Sequence, residues 1–247
     1  MVFAAGLGTR LRPLTNDRPK ALVEIGGRTL LEIVLSRLRI FGVGEVIVNT
    51  HHFADEVAEY LKARNNFGIR IEISREETLL DTGGGLKKAA WFFEENASSR
   101  NEPFFVHNVD VISTIDLARM LRFHLEHDAL ATLAVQKRTT SRPLLFDESG
   151  VLCGRRAGMD GEAEMARPAE KTGTLAFAGI HVISPKIFAK FSEAGVFPIV
   201  PAYLRLVSEG ERIVAFCADD SAWRDVGTPE SMAHAEREMK GEENPST

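Results

Sequence analysis

Cysteine is scarce in this chain. Its 247 residues include only Cys153 and Cys217. Two are too few for a disulfide scaffold and their spacing fits no zinc pattern, so ordinary thiols in a reducing compartment are expected. Long apolar runs are also missing. No stretch approaches the ~20 residues a membrane span needs, and the apolar start over residues 1–5 is too short for the core of a secretory signal. A cytoplasmic location is the expectation. Positive charge is short as well: 30 basic residues face 35 acidic ones, a net charge of −5. A general nucleic-acid binder would show a basic face, whereas a small anion held by a local cluster of positive charge stays open. The chain has no internal repeats, no low-complexity blocks and no linker long enough to separate independent domains. What remains is an ordinary globular composition, 44% hydrophobic and 26% charged, and a length that buries a sizeable core unaided.

Periodicity supplies the elements. Residues 1–5 read as a short buried strand running into a glycine loop, short enough that a few preceding residues are expected. Leu30, Ile33, Val34, Leu38 and Phe41 recur at helical spacing, and Gly42 and Gly44 stop the helix. Residues 45–49 form the next buried strand, 53–61 an amphipathic helix, and Ile69, Ile71 and Ile73 alternate as a strand. Residues 83–93 read as a helix behind a second glycine loop, 104–108 as a fourth strand, 116–127 as a helix capped by Asp116, and 129–136 as a fifth strand. Strands alternating with helices of this length indicate parallel βαβ units. The expected fold is α/β, doubly wound, with a mostly parallel sheet.

The second half is less regular. Residues 143–146 and 151–153 pair as a hairpin around Ser149-Gly150, and 154–172 reads as an exposed loop. Residues 174–183 and 213–216 read as strands. Residues 185–191, 198–207 and 229–239 read as helices, and 241–247 as a disordered tail.

The most informative segment is Gly6-Leu7-Gly8-Thr9-Arg10-Leu11-Arg12-Pro13-Leu14-Thr15, followed by Arg18-Pro19-Lys20. A glycine loop after the first strand of an α/β sheet lets backbone amides face phosphate oxygens. The dinucleotide fingerprint fails because Leu11 stands where its third glycine belongs. A Walker loop fails because Thr9-Arg10 stands where Gly-Lys-Ser/Thr belongs. Residues 1–28 carry Arg10, Arg12, Arg18, Lys20 and Arg28 against Asp17 and Glu24. Charge alone leaves two readings open, a specific anion site and a solvated loop. Asp110 follows an apolar strand at its carboxyl end, the edge where open α/β sheets bind ligands. Asp225 lies between Trp223 and Gly227 on an expected loop. Each alone reads first as a turn or cap residue.

Together these motifs, with Leu80-Asp81-Thr82-Gly83-Gly84-Gly85 and Trp223-Arg224-Asp225-Val226-Gly227-Thr228, resemble the sugar-phosphate nucleotidyltransferases, also called nucleoside-diphosphate-sugar pyrophosphorylases. The likeness runs over essentially the whole chain. It is nearest to the short bacterial branch of N-acetylmuramate-1-phosphate uridylyltransferases and short mannose-1-phosphate guanylyltransferases. It implies a Rossmann-like nucleotide-diphospho-sugar transferase domain over 1–240, with a nucleotide-binding core over 1–136 and a sugar-side part over 137–240. No left-handed β-helix repeat follows, so no fused acetyltransferase is expected.

The resemblance also implies roles. Ala4, Ala5, Gly6, Gly8, Thr9 and Arg10 would hold the nucleoside triphosphate, with Gly83 and Gly84 as a turn near the base and sugar. Arg10, Lys20 and Asp110 would be catalytic, and Asp110 and Asp225 would bind Mg²⁺. Asn108, Glu170, Lys171 and Gly179 would meet the sugar 1-phosphate. The expected partners are a nucleoside triphosphate and a sugar 1-phosphate, without nucleic acid or membrane, in a monomer or homodimer. Three features depart from the family pattern. Val109 stands where the family has Gly, and would either narrow the pocket or point into the core. Thr172 follows Glu170-Lys171 where Pro is usual. The first strand is short. A cytidylyltransferase acting on a phosphorylated alcohol such as phosphocholine and a non-catalytic nucleotide-sugar sensor are the alternatives.

The histidines suggest no metal site. His124 and His127 lack the His-Glu-x-x-His spacing, and with His51-His52 they read as surface or core-edge residues. Phe92-Phe93 and Phe104-Phe105 read as core, and the apolar run 197–201 as a packed helix start, with a dimer contact or a sugar-side lid as the alternatives.

Overall fold

A computed structural model describes residues 1–95, 102–158 and 161–239. The tail expected over 241–247 lies outside them. The chain opens with β1 (Val2–Phe3), then the tight hairpin β2 (Glu24–Ile25) and β3 (Arg28–Thr29). Gly26 and Gly27 make that turn, both at positive φ, as a two-residue hairpin loop requires. Next come α1 (Leu30–Ile40), β4 (Glu45–Thr50), α2 (Ala54–Ala63) and β5 (Arg70–Arg75). Thr29 caps α1, its hydroxyl accepting from the Glu32 N–H at 3.1 Å. The middle of the chain forms α3 (Asp81–Lys88), α4 (Ala90–Glu95), β6 (Phe104–Asn108), β7 (Val111–Ser113), α5 (Leu117–Glu126) and β8 (Ala131–Gln136). Asp116 caps α5 as expected, accepting from Arg119 N at 2.9 Å. The last elements are β9 (Leu144–Asp147), β10 (Leu152–Arg156), β11 (Ala163–Met165), β12 (Thr172–Ile183), α6 (Ile199–Ser208), β13 (Ile213–Cys217), β14 (Trp223–Asp225) and α7 (Pro229–Met239).

The fold is α/β with a parallel-dominant central sheet flanked by helices, as expected. Contacts separate two compact units whose chain segments interleave. One comprises Met1–Leu79, His107–Thr114 and the chain from Trp223; the other comprises Leu80–Val106 and Ile115–Ala222.

In the first unit, β1 pairs parallel with β4 and with the end of β6, and β4 pairs parallel with β5. Strands of a parallel run are covered on both faces and read as apolar throughout, which is why Val46, Ile47 and Val48 are all buried. The register sets Val2 opposite both Val48 and His107, so the carboxyl ends of β1, β4 and β6 lie level. The glycine loop and residues 109–110 leave from that edge.

The second unit is largely antiparallel. Its strands run β11-β10-β9-β12-β8, with β13 parallel to β8 at the edge. Here β8 differs from expectation: it pairs antiparallel with β12 rather than joining a parallel βαβ series. Among the phenylalanines, Phe93 stacks on Phe104 with centroids 3.8 Å apart, and Phe188 lies beside both.

Other differences are local. Residues 83–93 form two helices, and the glycines lie inside the first of them rather than in a loop before it. Part of the loop expected over 154–172 is β11, paired to the extended end of β10. Residues 185–190 form a 3-10 helix. The segment holding Asp225 is a strand, β14, paired antiparallel with β7. Cys153 and Cys217 are free thiols. Among the described residues, no helix is long and apolar enough to cross a membrane.

Candidate active site

The loop after β1 is open in the middle and pinned at its ends. Ala4 and Ala5 are buried, and Gly6 through Arg10 are largely exposed. Buried Leu11 closes a 3-10 turn by donating to the Gly8 carbonyl at 2.9 Å, and the Thr15 hydroxyl donates to the same oxygen at 2.8 Å. Gly8 sits at φ +64°, where a Cβ would stand 3.0 Å from both Lys20 and Thr15 side-chain carbons, so a larger residue would be strained and crowded. Among the described residues, the main-chain N–H groups of Gly6 through Arg10 make no hydrogen bond. Such a run of unspent amides in a tight turn has the form of a cradle that could receive an anion. Thr15 carries none of the expected roles, yet it holds the cradle's shape; its one signal in the sequence is a polar residue where the turn returns to the core.

The carboxylates come from neighbouring strands. Val109 and Asp110 follow β6, and β7 begins at the next residue. β14 pairs with β7 so that Asp225 lies opposite Val111, and the Val226 N–H donates to the Asp110 carbonyl at 2.8 Å. Lys20 Nζ forms an ion pair with Asp110 Oδ2, with both side chains mostly buried. Arg10 Nη2 stands 3.9 Å from Asp225 Oδ2, and these two are more open, at 62% and 43% exposure. Gly227 N donates to Asp225 Oδ1 at 2.7 Å, and a Cβ on Gly227 would come within 2.6 Å of both Arg10 and Asp225. The structure therefore joins Arg10, Lys20, Asp110 and Asp225 in two alternating pairs on one unit.

Val109 lies inward. It is 4% exposed, and its N–H donates to the Phe3 carbonyl at 3.1 Å. Asn108 is half-buried, and its carbonyl takes a 2.8 Å hydrogen bond from His107 Nδ1. A carbonyl only accepts, so His107 carries its proton on Nδ1. Burial lowers the pKa of His107 to about 4, so its ring is neutral near pH 7.

The residues assigned to the second unit are placed differently. Gly83 and Gly84 both donate their N–H to the Phe197 carbonyl, at 2.9 and 3.0 Å. Their missing side chains leave room for the chain at 195–197: a Cβ on Gly84 would stand 2.3 Å from the Gly195 carbonyl oxygen. These amides are already used, so the expected glycine turn is corrected to a packed helix start. Glu170 is exposed, and Lys171 pairs with Glu148 at 3.2 Å with both side chains more than two-thirds exposed. Neither is brought to a partner that marks a phosphate site. Gly179 is buried in β12 at φ +73°, inside the register shift between Phe177 and His181. The bulge reaims the strand there.

The donor set fits a small hard cation. Magnesium takes oxygen from one or two carboxylates, keeps several waters and shares phosphate oxygens. Asp110 and Asp225 supply two such carboxylates. Among the described residues, no group of three or more His, Cys, Asp or Glu could hold a metal, so an all-protein cage is not what is built. His51 bonds to the Glu76 carbonyl, His124 to Thr132 Oγ1, and His127 to the Phe123 carbonyl.

Comparison with known proteins shows the family. The family model described as nucleotidyl transferase matches residues 1–242. The chain belongs to that family. It is a nucleotidyltransferase. It is 36% identical to the N-acetylmuramate alpha-1-phosphate uridylyltransferase of Caulobacter vibrioides over 97% of this chain and 96% of that one. It is 30% identical to the mannose-1-phosphate guanyltransferase of Aspergillus fumigatus over 94% of this chain but 61% of that one. The chain thus spans about three fifths of the guanyltransferase relative and almost all of the uridylyltransferase. Among solved structures, HddC from Yersinia pseudotuberculosis complexed with GMP-PN superposes with a TM-score of 0.75 at 22% identity, covering 96% of this chain and 97% of that one. At that identity the likeness speaks for the nucleotidyltransferase fold alone.

Proposed function

We propose that this nucleotidyltransferase joins a nucleoside triphosphate to a sugar 1-phosphate, releasing pyrophosphate and a nucleoside-diphosphate sugar, and that it does so with magnesium. The observation carrying this is the cradle of unspent amides at Gly6–Arg10, flanked by the Lys20–Asp110 and Arg10–Asp225 pairs. The near full-length likeness to a uridylyltransferase favours UTP and a phosphorylated amino sugar.

In this reading an oxygen of the sugar phosphate attacks the α-phosphorus. A new P–O bond forms as the bond to the β-phosphate oxygen breaks, and pyrophosphate carries away the electron pair. The attacking oxygen is already an anion, so no strong general base is required. Catalysis is then positioning and charge neutralisation. The amides of Gly6, Gly8 and Thr9 receive the triphosphate. Arg10 neutralises charge that accumulates on the leaving pyrophosphate, and its planar fork suits phosphate oxygens. Lys20, nearly buried, presents its ammonium to the α-phosphate or to the sugar phosphate. Asp110 and Asp225 would hold magnesium, which when bound neutralises phosphoryl oxygens. Asn108, at the end of β6, would meet the sugar phosphate in this reading.

The test is pyrophosphate release with magnesium, crossing four nucleoside triphosphates with a panel of sugar 1-phosphates and phosphocholine. UTP with N-acetylmuramate 1-phosphate or a related hexosamine phosphate is expected to give the signal, and removal of the metal by chelation to abolish it. A signal from CTP with phosphocholine alone would reassign the acceptor. Silence across the panel would overturn the reading.

A further inference from the structure

Beside the cradle lies a buried pair of polar residues to which the reaction as proposed assigns no part. Asn49 ends the apolar run of β4 and is 3% exposed; Glu76 follows β5 and is 4% exposed. The parallel ladder between β1 and β4 stops at Phe3 opposite Asn49. One residue further on, the Ala4 N–H donates to Asn49 Oδ1 at 2.8 Å, so a side chain takes the place of the next ladder bond. Asn49 Nδ2 in turn donates to Glu76 Oε1 at 2.7 Å. The orientation of this amide is fixed by chemistry, because an N–H only donates and a carboxylate only accepts. Glu76 is itself held through its backbone: its N–H donates to the Thr50 carbonyl at 2.7 Å, and its carbonyl is bonded to His51 Nδ1 at 2.8 Å.

We infer that Asn49 and Glu76 are positioning residues for the triphosphate, setting through Ala4 the point where the chain leaves the sheet and the angle at which the amides of Gly6–Arg10 are presented. The inference rests on the proposed reaction. The Asn49 amide accepts on one side and donates on the other, and the donor it offers helps offset the lost hydration of the buried carboxylate. A cradle displaced by about 1 Å costs on the order of 10²-fold in rate.

The pair has a built-in test. In Asn49→Asp, two carboxylates face each other in a buried place. In Asn49→Asp with Glu76→Gln, the donor and acceptor exchange sides, so both hydrogen bonds can form again at unchanged net charge. Glu76→Gln alone leaves an acceptor for Asn49. The expected result is a fall of about 10- to 100-fold in kcat/KM for the triphosphate in N49D, with KM for the sugar phosphate within about twofold. E76Q and the swapped double variant should stay within about threefold of wild type. A merely destabilised enzyme would lose active fraction without moving the two KM values apart. N49D kinetics equal to wild type, or a double variant as impaired as N49D, would overturn the inference. If N49D does not fold, the double variant decides: folded and near wild type in triphosphate KM supports the pairing, and folded with a tenfold higher KM overturns it. If wild type releases no pyrophosphate across the panel, the functional reading has failed instead. Hydrogen exchange over residues 3–10 then reads the positioning claim separately, with protection lost in N49D and regained in the double variant as the supporting result, and no difference between them as the overturning one.

Discussion

Gly6 and Gly8 in the first unit leave the amides around them open, whereas Gly83 and Gly84 in the second have theirs bonded to the Phe197 carbonyl. Both clusters follow the end of a strand and look alike as composition. Around Gly6 a Cβ would meet nothing within 4 Å; at Gly84 it would meet a backbone oxygen at 2.3 Å. Gly6 has open space beside its backbone, and Gly8 is glycine for its positive φ and the Lys20 and Thr15 side chains beside it. The other cluster is glycine because the protein itself has come close. A glycine-rich segment thus has more than one cause, and only the tertiary surroundings tell which.

The comparison can be broken most directly at Gly84. Gly84→Ala should cost about 3 kcal/mol or more, since the crowding atom is backbone and cannot rotate away. The melting temperature would then fall well beyond 5 °C. A change under about 1 °C would show that the helix start has room to shift.

Arg10→Ala should do the opposite, lowering turnover by about 10²-fold while barely moving the melting temperature. Its side chain is mostly in solvent, so little packing is lost. Near wild-type turnover would remove Arg10 from the reaction.

Buried histidines should not distinguish the units, and this sharpens the role of the glycines. His107 in the first unit and His124 in the second are both lowered to about 4 by burial. For His124 the unfolded value is near 6.5, so the unfolded state binds the extra proton first. Its contribution is present above pH 6.5 and lost as the pH falls towards 4. Between pH 7 and pH 5 this amounts to about 2 kcal/mol for one such group. His124→Gln should flatten that part of the stability curve, as read from denaturant midpoints at the two pH values. An unchanged slope would assign the acid sensitivity elsewhere.

The smallest effect is expected at Gly6→Ala, with a melting temperature within about 2 °C of wild type and only a modest rise in triphosphate KM. A large loss of stability there would erase the contrast between the clusters.

Much of the first unit is legible in the sequence because its signals are local. Thr29 stands at a helix start, Val46 to Val48 form a run only a covered strand tolerates, and the basic residues of the loop stand out against an acidic chain. Asp110 and Asp225 were visible only through the family pattern, since a single Asp after a strand reads first as a turn residue. What was hidden depends on distant partners. Gly83 to Gly85 read as a loop because the chain they pack against is more than a hundred residues away. β14 is three residues long, too short to show alternation, and exists because β7 pairs with it. Val109 has no readable direction until Phe3 takes its N–H. Asn49 gave one faint sign, a polar residue after the apolar run Val46 to Val48, and Glu76 gave none.

The late arrival of β14 has a consequence for how the enzyme comes into being. Lys20 and the cradle are made first, but Asp225 is laid down only after the whole of the second unit's chain has been synthesised. At about 5–20 residues per second, the nascent first unit waits on the order of 10 s for Asp225. During that interval the ribosome carries a positively charged loop without the group that balances Arg10. A half-made chain therefore lacks the Arg10–Asp225 pair until Trp223 to Asp225 can pair with β7 and close the first unit.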